Sequence, residues 1–400
     1  MKSPLIMKFP LGQNAHDTDD ILNMIKVLLT GNFTMGEQVS QFENMFAEYV
    51  GAKHAVMVNS GSSANLLAVA ALTNYKRANK LVPGDEVIVP ALCWSTSIFP
   101  IVQCNLVPVF VDVDPETLNI DLEDLEKKIT EKTKAIMLVH VLGNSTDMRK
   151  LMDIVKRHNL ILIEDTCESL GSKYDGKYLG TFGTFATYSF YYSHHITTME
   201  GGMVVCDDDE DYELIKCLRA HGWSRSLKNK NEIQEQFPDI DPRFTFVNLG
   251  YNVRPMEIQA AMGVHQLYKL KSKNENRKIN YSNIKSKIEA DPRGSFISFP
   301  KEIDNGDIAW FGVTMFLDEN IKLSDYLDYL SSKGVENRPI ITGNMVRQPV
   351  IKDLYPELNP ADFKGAEKCH YRGCFIGLPS NLMSADLVDD LVDILLSYKP

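Results

Sequence analysis

The 400-residue chain has few of the features that would place it outside the ordinary globular enzymes. No apolar run approaches the roughly 18 residues that suggest a membrane span. The segment Met1 to Gly12 carries lysines but only a very short apolar stretch, which argues against a signal peptide. A basic excess is missing as well. The net charge of −11 disfavours non-specific binding to nucleic acid or anionic membranes. It leaves room for a phosphorylated small ligand, because backbone N–H groups alone can build a phosphate site. The seven cysteines, at 93, 104, 167, 206, 217, 369 and 374, contain no C-x-x-C pair. An odd set without close pairs fits a reduced, cytoplasmic protein with core thiols. With no H-E-x-x-H either, no metal site is expected. Low-complexity tracts and internal repeats are absent.

What is present is an alternation of short apolar runs with amphipathic stretches. Helical spacing covers Ile21–Leu29 and Val39–Tyr49. Strands are expected at His54–Val58, Asp85–Val89, Val107–Val113, Ala135–His140, Leu160–Glu164, Ala186–Phe190 and Met203–Cys206. Apolar runs of this kind suit strands buried on both faces, as in a mostly parallel central sheet flanked by helices. Ser224 to Phe246 is polar and reads as a long loop, and the helix Pro255–Leu270 follows it. Further strands fall at Trp310–Leu317 and Val335–Ile341. The expected organisation is a large α/β domain over residues 1–255, with a helical lead-in, and a smaller α+β domain over 256–400.

Three places carry chemistry. Asn59-Ser60-Gly61-Ser62-Ser63-Ala64-Asn65 lies between a strand and an apolar helix. Gly61 permits a tight turn, and Ser62 and Ser63 open the helix with free N–H groups and hydroxyls, a ready phosphate site or simply a serine cap. Asp165 follows the Leu160–Glu164 strand at the sheet edge where α/β proteins bind ligands; a helix cap or an ion pair would explain it equally. Ser189 ends another strand, five residues before His194. Adjacent residues diverge, so His194 and His195 make a poor pair of ligands for one metal.

Order and spacing join these places. Ser189-Phe190-Tyr191-Tyr192-Ser193-His194-His195-Ile196-Thr197-Thr198-Met199-Glu200-Gly201-Gly202 resembles the cofactor-lysine segment of the DegT-type sugar aminotransferases, with His194 where those enzymes have lysine. Gly84 to Pro90, Thr181-Phe182-Gly183 and Gly250-Tyr251-Asn252-Val253-Arg254-Pro255-Met256-Glu257 match as well. The resemblance runs from about Phe9 to the end. It implies a fold-type-I aminotransferase-like architecture and pyridoxal 5′-phosphate or pyridoxamine 5′-phosphate as cofactor. By the same resemblance Gly61, Ser62 and Ser189 would hold the cofactor phosphate, Asp165 the ring nitrogen and Trp94 a ring face. Asn252 would reach the phosphate of a partner subunit, in a homodimer with shared active sites.

An imidazole cannot replace the covalent tether of a lysine amine, yet it moves protons near neutral pH. The histidine therefore points to the 3-dehydratase branches of the family. One of them uses an iron–sulfur cluster with a full cysteine set, and this chain has no cysteine between Cys217 and Cys369. The metal-independent branch acts on GDP-4-keto-6-deoxymannose in colitose synthesis, hence lipopolysaccharide O-antigen, and uses L-glutamate to regenerate the aminated cofactor. Segments Asn32 to Glu37, Trp94-Ser95-Thr96, His221-Gly222-Trp223 and Arg338-Pro339-Ile340 resemble it. The implied catalytic residue is His194, serving both as base and as acid for the departing 3-hydroxyl. By the same resemblance Glu168 is a cofactor-binding residue, standing where the aminotransferases have an amide and both dehydratase branches an acid, which could orient a hydroxyl or water; a plain exposed glutamate is the alternative. Glu37, His221, Arg254 and Arg338 are the expected substrate-binding residues, the arginines suited to carboxylate or diphosphate. The alternatives are a CDP- or dTDP-sugar 3-dehydratase and a catalytically inactive binding homologue.

Overall fold

The computed structural model describes residues 7–12 and 16–399. Two helices lead in, α1 (Thr18–Thr30) and α2 (Glu37–Val50). Asp17 caps α1 by accepting the N–H groups of Asp19 and Asp20, and Gly31 closes it with a left-handed turn at φ 75°, as helix ends favour.

The central sheet holds β1 (His54–Val58), β2 (Glu86–Pro90), β3 (Val107–Val111), β4 (Thr133–Val139) and β5 (Ile161–Asp165). A short hairpin, β6 (Lys173–Tyr174) and β7 (Lys177–Tyr178), precedes its last strands, β8 (Phe185–Ser189) and β9 (Gly202–Cys206). Their order is β1-β9-β8-β5-β4-β2-β3, all parallel except β9, which runs against both neighbours. Helices α3 (Gly61–Leu72), α4 (Ser95–Gln103), α5 (Leu122–Lys127), α6 (Met148–Arg157) and α7 (Asp209–Arg219) connect the strands. The sheet is covered on both faces, which is why its strands read as unbroken apolar runs. Helix α3 is apolar nearly all round and buried, the pattern of a helix enclosed by the core.

A short helix, α8 (Lys230–Gln236), lies inside the segment expected as a loop; it buries no residue, so no hydrophobic periodicity could reveal it. Then comes α9 (Glu257–Ala290), 34 residues long, well beyond the Leu270 end expected from sequence. The remainder builds an antiparallel sheet in the order β10 (Ile297–Ser298), β12 (Gly312–Leu317), β14 (Gly373–Gly377), β13 (Asn337–Pro339), while β11 (Gly306–Asp307) joins β6 and β7. Strand β13 is shorter than the expected Val335–Ile341, because Val335 instead bridges to Phe9. Helices α10 (Leu323–Ser332), α11 (Pro349–Leu354), α12 (Lys364–Arg372) and α13 (Ala385–Leu396) complete the chain. No helix among the described residues is long and apolar enough to cross a membrane.

Candidate active site

Parallel strands deliver their carboxyl ends to one edge of the sheet, and the candidate residues gather there. Val58 and Ser189 both pair with Gly202, so the turn after β1 and the end of β8 meet across one β9 residue. A Cβ at Gly202 would fall 2.4 Å from the Ser60 carbonyl carbon and oxygen, and one at Gly61 would fall 2.6 Å from Ser189 Cβ. Only hydrogen fits at either place. Ser60 caps α3 by accepting the Ser63 N–H at 3.1 Å, and Ser62 Oγ donates to Thr96 Oγ1 at 3.0 Å. The first N–H groups of a helix have no intrahelical partner, so this turn offers backbone and hydroxyl donors to an anion.

Asp165 ends β5, buried, and accepts three bonds: from Asn65 Nδ2 at 2.8 Å, Ser97 Oγ at 2.7 Å and the Cys167 N–H at 3.2 Å. Thr187 Oγ1 donates to Asn65 Oδ1 at 2.6 Å, which fixes the amide so that its NH₂ faces Asp165. Asn65 and Ser97 escaped the sequence reading as functional residues. Their signal was spacing, since Asn65 follows Ser62 and Ser97 follows Trp94 by three residues, one helical turn.

His194 Nδ1 lies 2.8 Å from the Cys167 carbonyl oxygen. A carbonyl can only accept, so Nδ1 carries the hydrogen and Nε2 keeps a lone pair. The ring meets Phe311 edge-on, centroids 5.0 Å apart. Burial pushes its pKa down to about 4, against the smaller opposing pull of the Cys167 carbonyl and Asp165. The imidazole is thus neutral at pH 7 with one acceptor nitrogen. His195 is turned away, its Nε2–H on the Ala309 carbonyl at 2.9 Å. Glu168 accepts the Leu142 N–H at 3.0 Å; burial raises its carboxyl to about 7.

A cavity of about 500 Å³ joins Gly61, Ser62, Trp94, Asp165, Glu168, Ser189, His194 and Arg338. Trp94 is 56% exposed, so it is not a core residue. Arg338 pairs with Glu336 at 2.8 Å while facing the cavity. Four candidates lie elsewhere in the single chain. Glu37 is exposed at the start of α2. Exposed Asn252 accepts a bond from Arg254 Nε at 3.0 Å, and the Arg254 guanidinium lies over Trp223. His221 meets the same indole edge-on at 4.8 Å. A larger groove, about 940 Å³, lies around α5 and α6; it holds none of the candidates, and Arg157 and Arg149 there pair with Glu126 and Asp175.

Residues 14–395 match the DegT/DnrJ/EryC1/StrS aminotransferase family. GDP-4-keto-6-deoxy-D-mannose 3-dehydratase of Yersinia pseudotuberculosis is 42% identical over 378 residues, covering 93% of this chain and 94% of that protein. The Escherichia coli enzyme of the same name, solved with bound hydrated PLP, superposes with a TM-score of 0.90 at 38% identity, covering 98% of this chain and all of that one. A GDP-4-keto-6-deoxymannose-3-dehydratase structure with a trapped PLP–glutamate geminal diamine gives 0.88 at 38% identity, over 97% and 100% of the two chains.

Proposed function

The chain belongs to the DegT/DnrJ/EryC1/StrS aminotransferase family, and from that membership we propose that it is a pyridoxamine-phosphate-dependent 3-dehydratase of GDP-4-keto-6-deoxymannose. The observation that carries this reading is His194: neutral, held by Nδ1 and presenting Nε2 at the cavity where a lysine would tether the cofactor.

The cavity suits the cofactor on its own terms. The Ser60–Gly61–Ser62 turn and Ser189 line it with hydroxyls and with the first N–H groups of α3, which have no intrahelical partner, and an acid furnished with three donors lines it as well. When bound, pyridoxamine phosphate supplies an amine that joins the 4-keto group and a ring that accepts an electron pair. Gly61, Ser62 and Ser189 hold its phosphate, Asp165 keeps the ring nitrogen protonated, and Trp94 covers a ring face. His194 Nε2 takes the proton from the carbon bearing the amine, which drives loss of the 3-hydroxyl. Glutamate restores the amine, with Arg338 placed to grip a carboxylate or diphosphate.

Two copies complete the site. Helix α1 presents Leu22, Ile25, Leu28 and Leu29 to solvent, Leu29 at 84% exposure, with Phe33 beside them. Contiguous apolar surface of this kind marks an interface, and Asn252 in its exposed segment is then available to a partner's phosphate site. Glu37, His221 and Arg254 bind substrate in that assembly. The division into residues 1–255 and 256–400 belongs to the same reading: the cavity lies where the two parts meet, with Phe311, Arg338 and Phe375 closing it. The enzyme works in the cytoplasm, supplying a deoxysugar for colitose and O-antigen.

Protein incubated with glutamate and pyridoxal phosphate should yield 2-oxoglutarate, and added GDP-4-keto-6-deoxymannose should release ammonia and a 3-deoxy sugar, both read by mass spectrometry. An amino group retained on the product sugar would return the chain to the aminotransferases. Faster turnover of a CDP- or dTDP-keto-sugar would move the nucleotide assignment.

A further inference from the structure

Two arginines among the described residues are buried, Arg219 and Arg277, and only one of them is neutralised. Arg219 meets the Glu43 carboxylate at 2.5 Å. Arg277, 4% exposed on α9, donates from Nη1 to the Phe311 carbonyl at 3.0 Å. Its Nε has no partner, and nothing acidic offsets its burial. A buried charge without a counter-charge is costly. Fastening the helix does not require one, because Asn274 and Asn280, three residues to either side, hold the Leu170 and Pro379 carbonyls with neutral amides. What the charge stands behind is the pair of histidines. Phe311, whose carbonyl takes the Arg277 bond, lines the cavity and sets its ring edge-on to His194 at 5.0 Å, with His195 at 5.7 Å.

We infer that Arg277 is a positioning residue for the proton transfers of the dehydration: its uncompensated charge behind Phe311 holds His194 neutral while it waits to accept, and presses the proton out again once it is taken up. The inference rests on the dehydratase reading above and goes beyond it by naming what biases both transfers. In an interior of low dielectric a positive charge disfavours a second one nearby. Burial does most to bring His194 down to about 4, and Arg277 acts in the same direction, against the Cys167 carbonyl and Asp165. His195 is lowered too, by burial and then by Arg277. Burial brings Arg277 itself down to about 10, so it keeps its charge at pH 7.

The step balances. One C–H bond opens, its proton going to His194 Nε2 and its electron pair passing toward the sugar's third carbon. The C–O bond there breaks with its pair on oxygen, Nε2 returns the proton to that oxygen, and water leaves. His194 ends neutral as it began, and Arg277 changes no bond. Between the two transfers Arg277 confronts an imidazolium, which it makes the stronger acid. The other ionisable groups facing His194 are Asp165, Cys167, Glu168, Tyr191, His195, Glu200 and Arg338. Lys273, one turn earlier on α9, stands beside Arg277, with Asp17, Asp20 and Lys269 about it.

Arg277→Gln retains an N–H donor and Arg277→Met an unbranched stem, and both remove the charge; Arg277→Lys keeps it. NMR of histidine-labelled, cofactor-free protein reads the ionisation directly, with the His194 signals assigned by their loss in His194→Asn. In the wild type His194 should stay neutral down to about pH 4. In the two neutral variants it should take its proton about one pH unit higher, the effect of a unit charge several ångströms away at an effective dielectric near 20. The lysine variant should titrate with the wild type. In turnover, the acid limb of kcat/KM should move with the same midpoint, and kcat at pH 7 should fall several-fold with KM little changed. A wild-type His194 titrating at its ordinary 6.5, neutral variants that match the wild type, or a lysine variant displaced as far as they are would overturn the inference. The expected titrations in a protein that eliminates no hydroxyl would uphold the action of Arg277 on His194 and place the failure in the dehydratase reading.

Discussion

Ionisation at two side chains gives the folded chain an acid–base signature. His194 is harder to protonate in the fold, at about 4, than at its ordinary 6.5. The unfolded chain then binds more protons between those values, and stability is lost as pH falls through them. Glu168 is the reverse: the fold keeps its proton to about 7 against an ordinary 4.5, so stability is lost as pH rises from 4.5 to 7. Each effect is on the order of 3 kcal/mol at full extent, and in the wild type the two largely cancel. Denaturant titration of cofactor-free protein from pH 4 to 7 should therefore tilt in opposite directions in two variants. His194→Asn should lose stability as pH rises, and Glu168→Gln should gain it. Parallel curves would remove the shifted ionisations. At this scale the gathering of Gly61, Asp165, Ser189 and His194 around one cavity was legible, because they sit in one ordered frame of motifs. The unequal supply of donors to Asp165 and Glu168 was not, since it comes from Asn65, Ser97 and Leu142, distant in sequence from what they bind.

At the scale of elements, the candidate phosphate corner depends on backbones that touch. Gly202 sits against the Ser60 carbonyl and the Gly61 nitrogen, and neither backbone can yield without moving the helix start. Gly202→Ala should destabilise the protein by about 1–3 kcal/mol, the cost of overpacking, and weaken pyridoxal phosphate binding more than it slows the chemistry of bound enzyme. Calorimetry and cofactor titration would check this; unchanged affinity would show that the turn does not hold the phosphate. Strands such as β1 matched their expected bounds because burial on both faces leaves an uninterrupted apolar signal. Helix α9 did not. Beyond Leu270 its buried stripe includes Asn274, Arg277 and Asn280, which make bonds to the Leu170, Phe311 and Pro379 carbonyls, and a polar stripe is invisible to hydrophobic periodicity. The local role of Glu257, a residue inside one of the motifs, was hidden in the same way. Its carboxylate accepts the N–H groups of Gly36, Gln38 and Val39 and so caps α2 from another helix.

For the whole molecule, the decisive question is whether one site draws on two chains. Glu37, His221, Asn252 and Arg254 are unreadable as site residues from a single subunit, since none of them lines its cavity. Mixing His194→Asn subunits with Asn252→Ala subunits gives a direct check. Each homodimer should be nearly inactive, whereas a hybrid regains one site built from intact His194 and intact Asn252. Activity should reappear on subunit exchange and scale with the hybrid fraction seen in native mass spectrometry. Hybrids that form yet stay inactive would sink the shared site.

The same long helix also limits how the enzyme can open. At about 1.5 Å per residue, its 34 residues form a rod of roughly 50 Å. Gln259 is fastened to the Glu200 carbonyl beside the cavity, Asn274 and Arg277 to the turns beneath it, and Asn280 to the strand exit at Pro379 and Asn381. The seven-stranded and four-stranded sheets are thus fastened to a single beam, and a swing of one against the other would have to bend it or break those bonds.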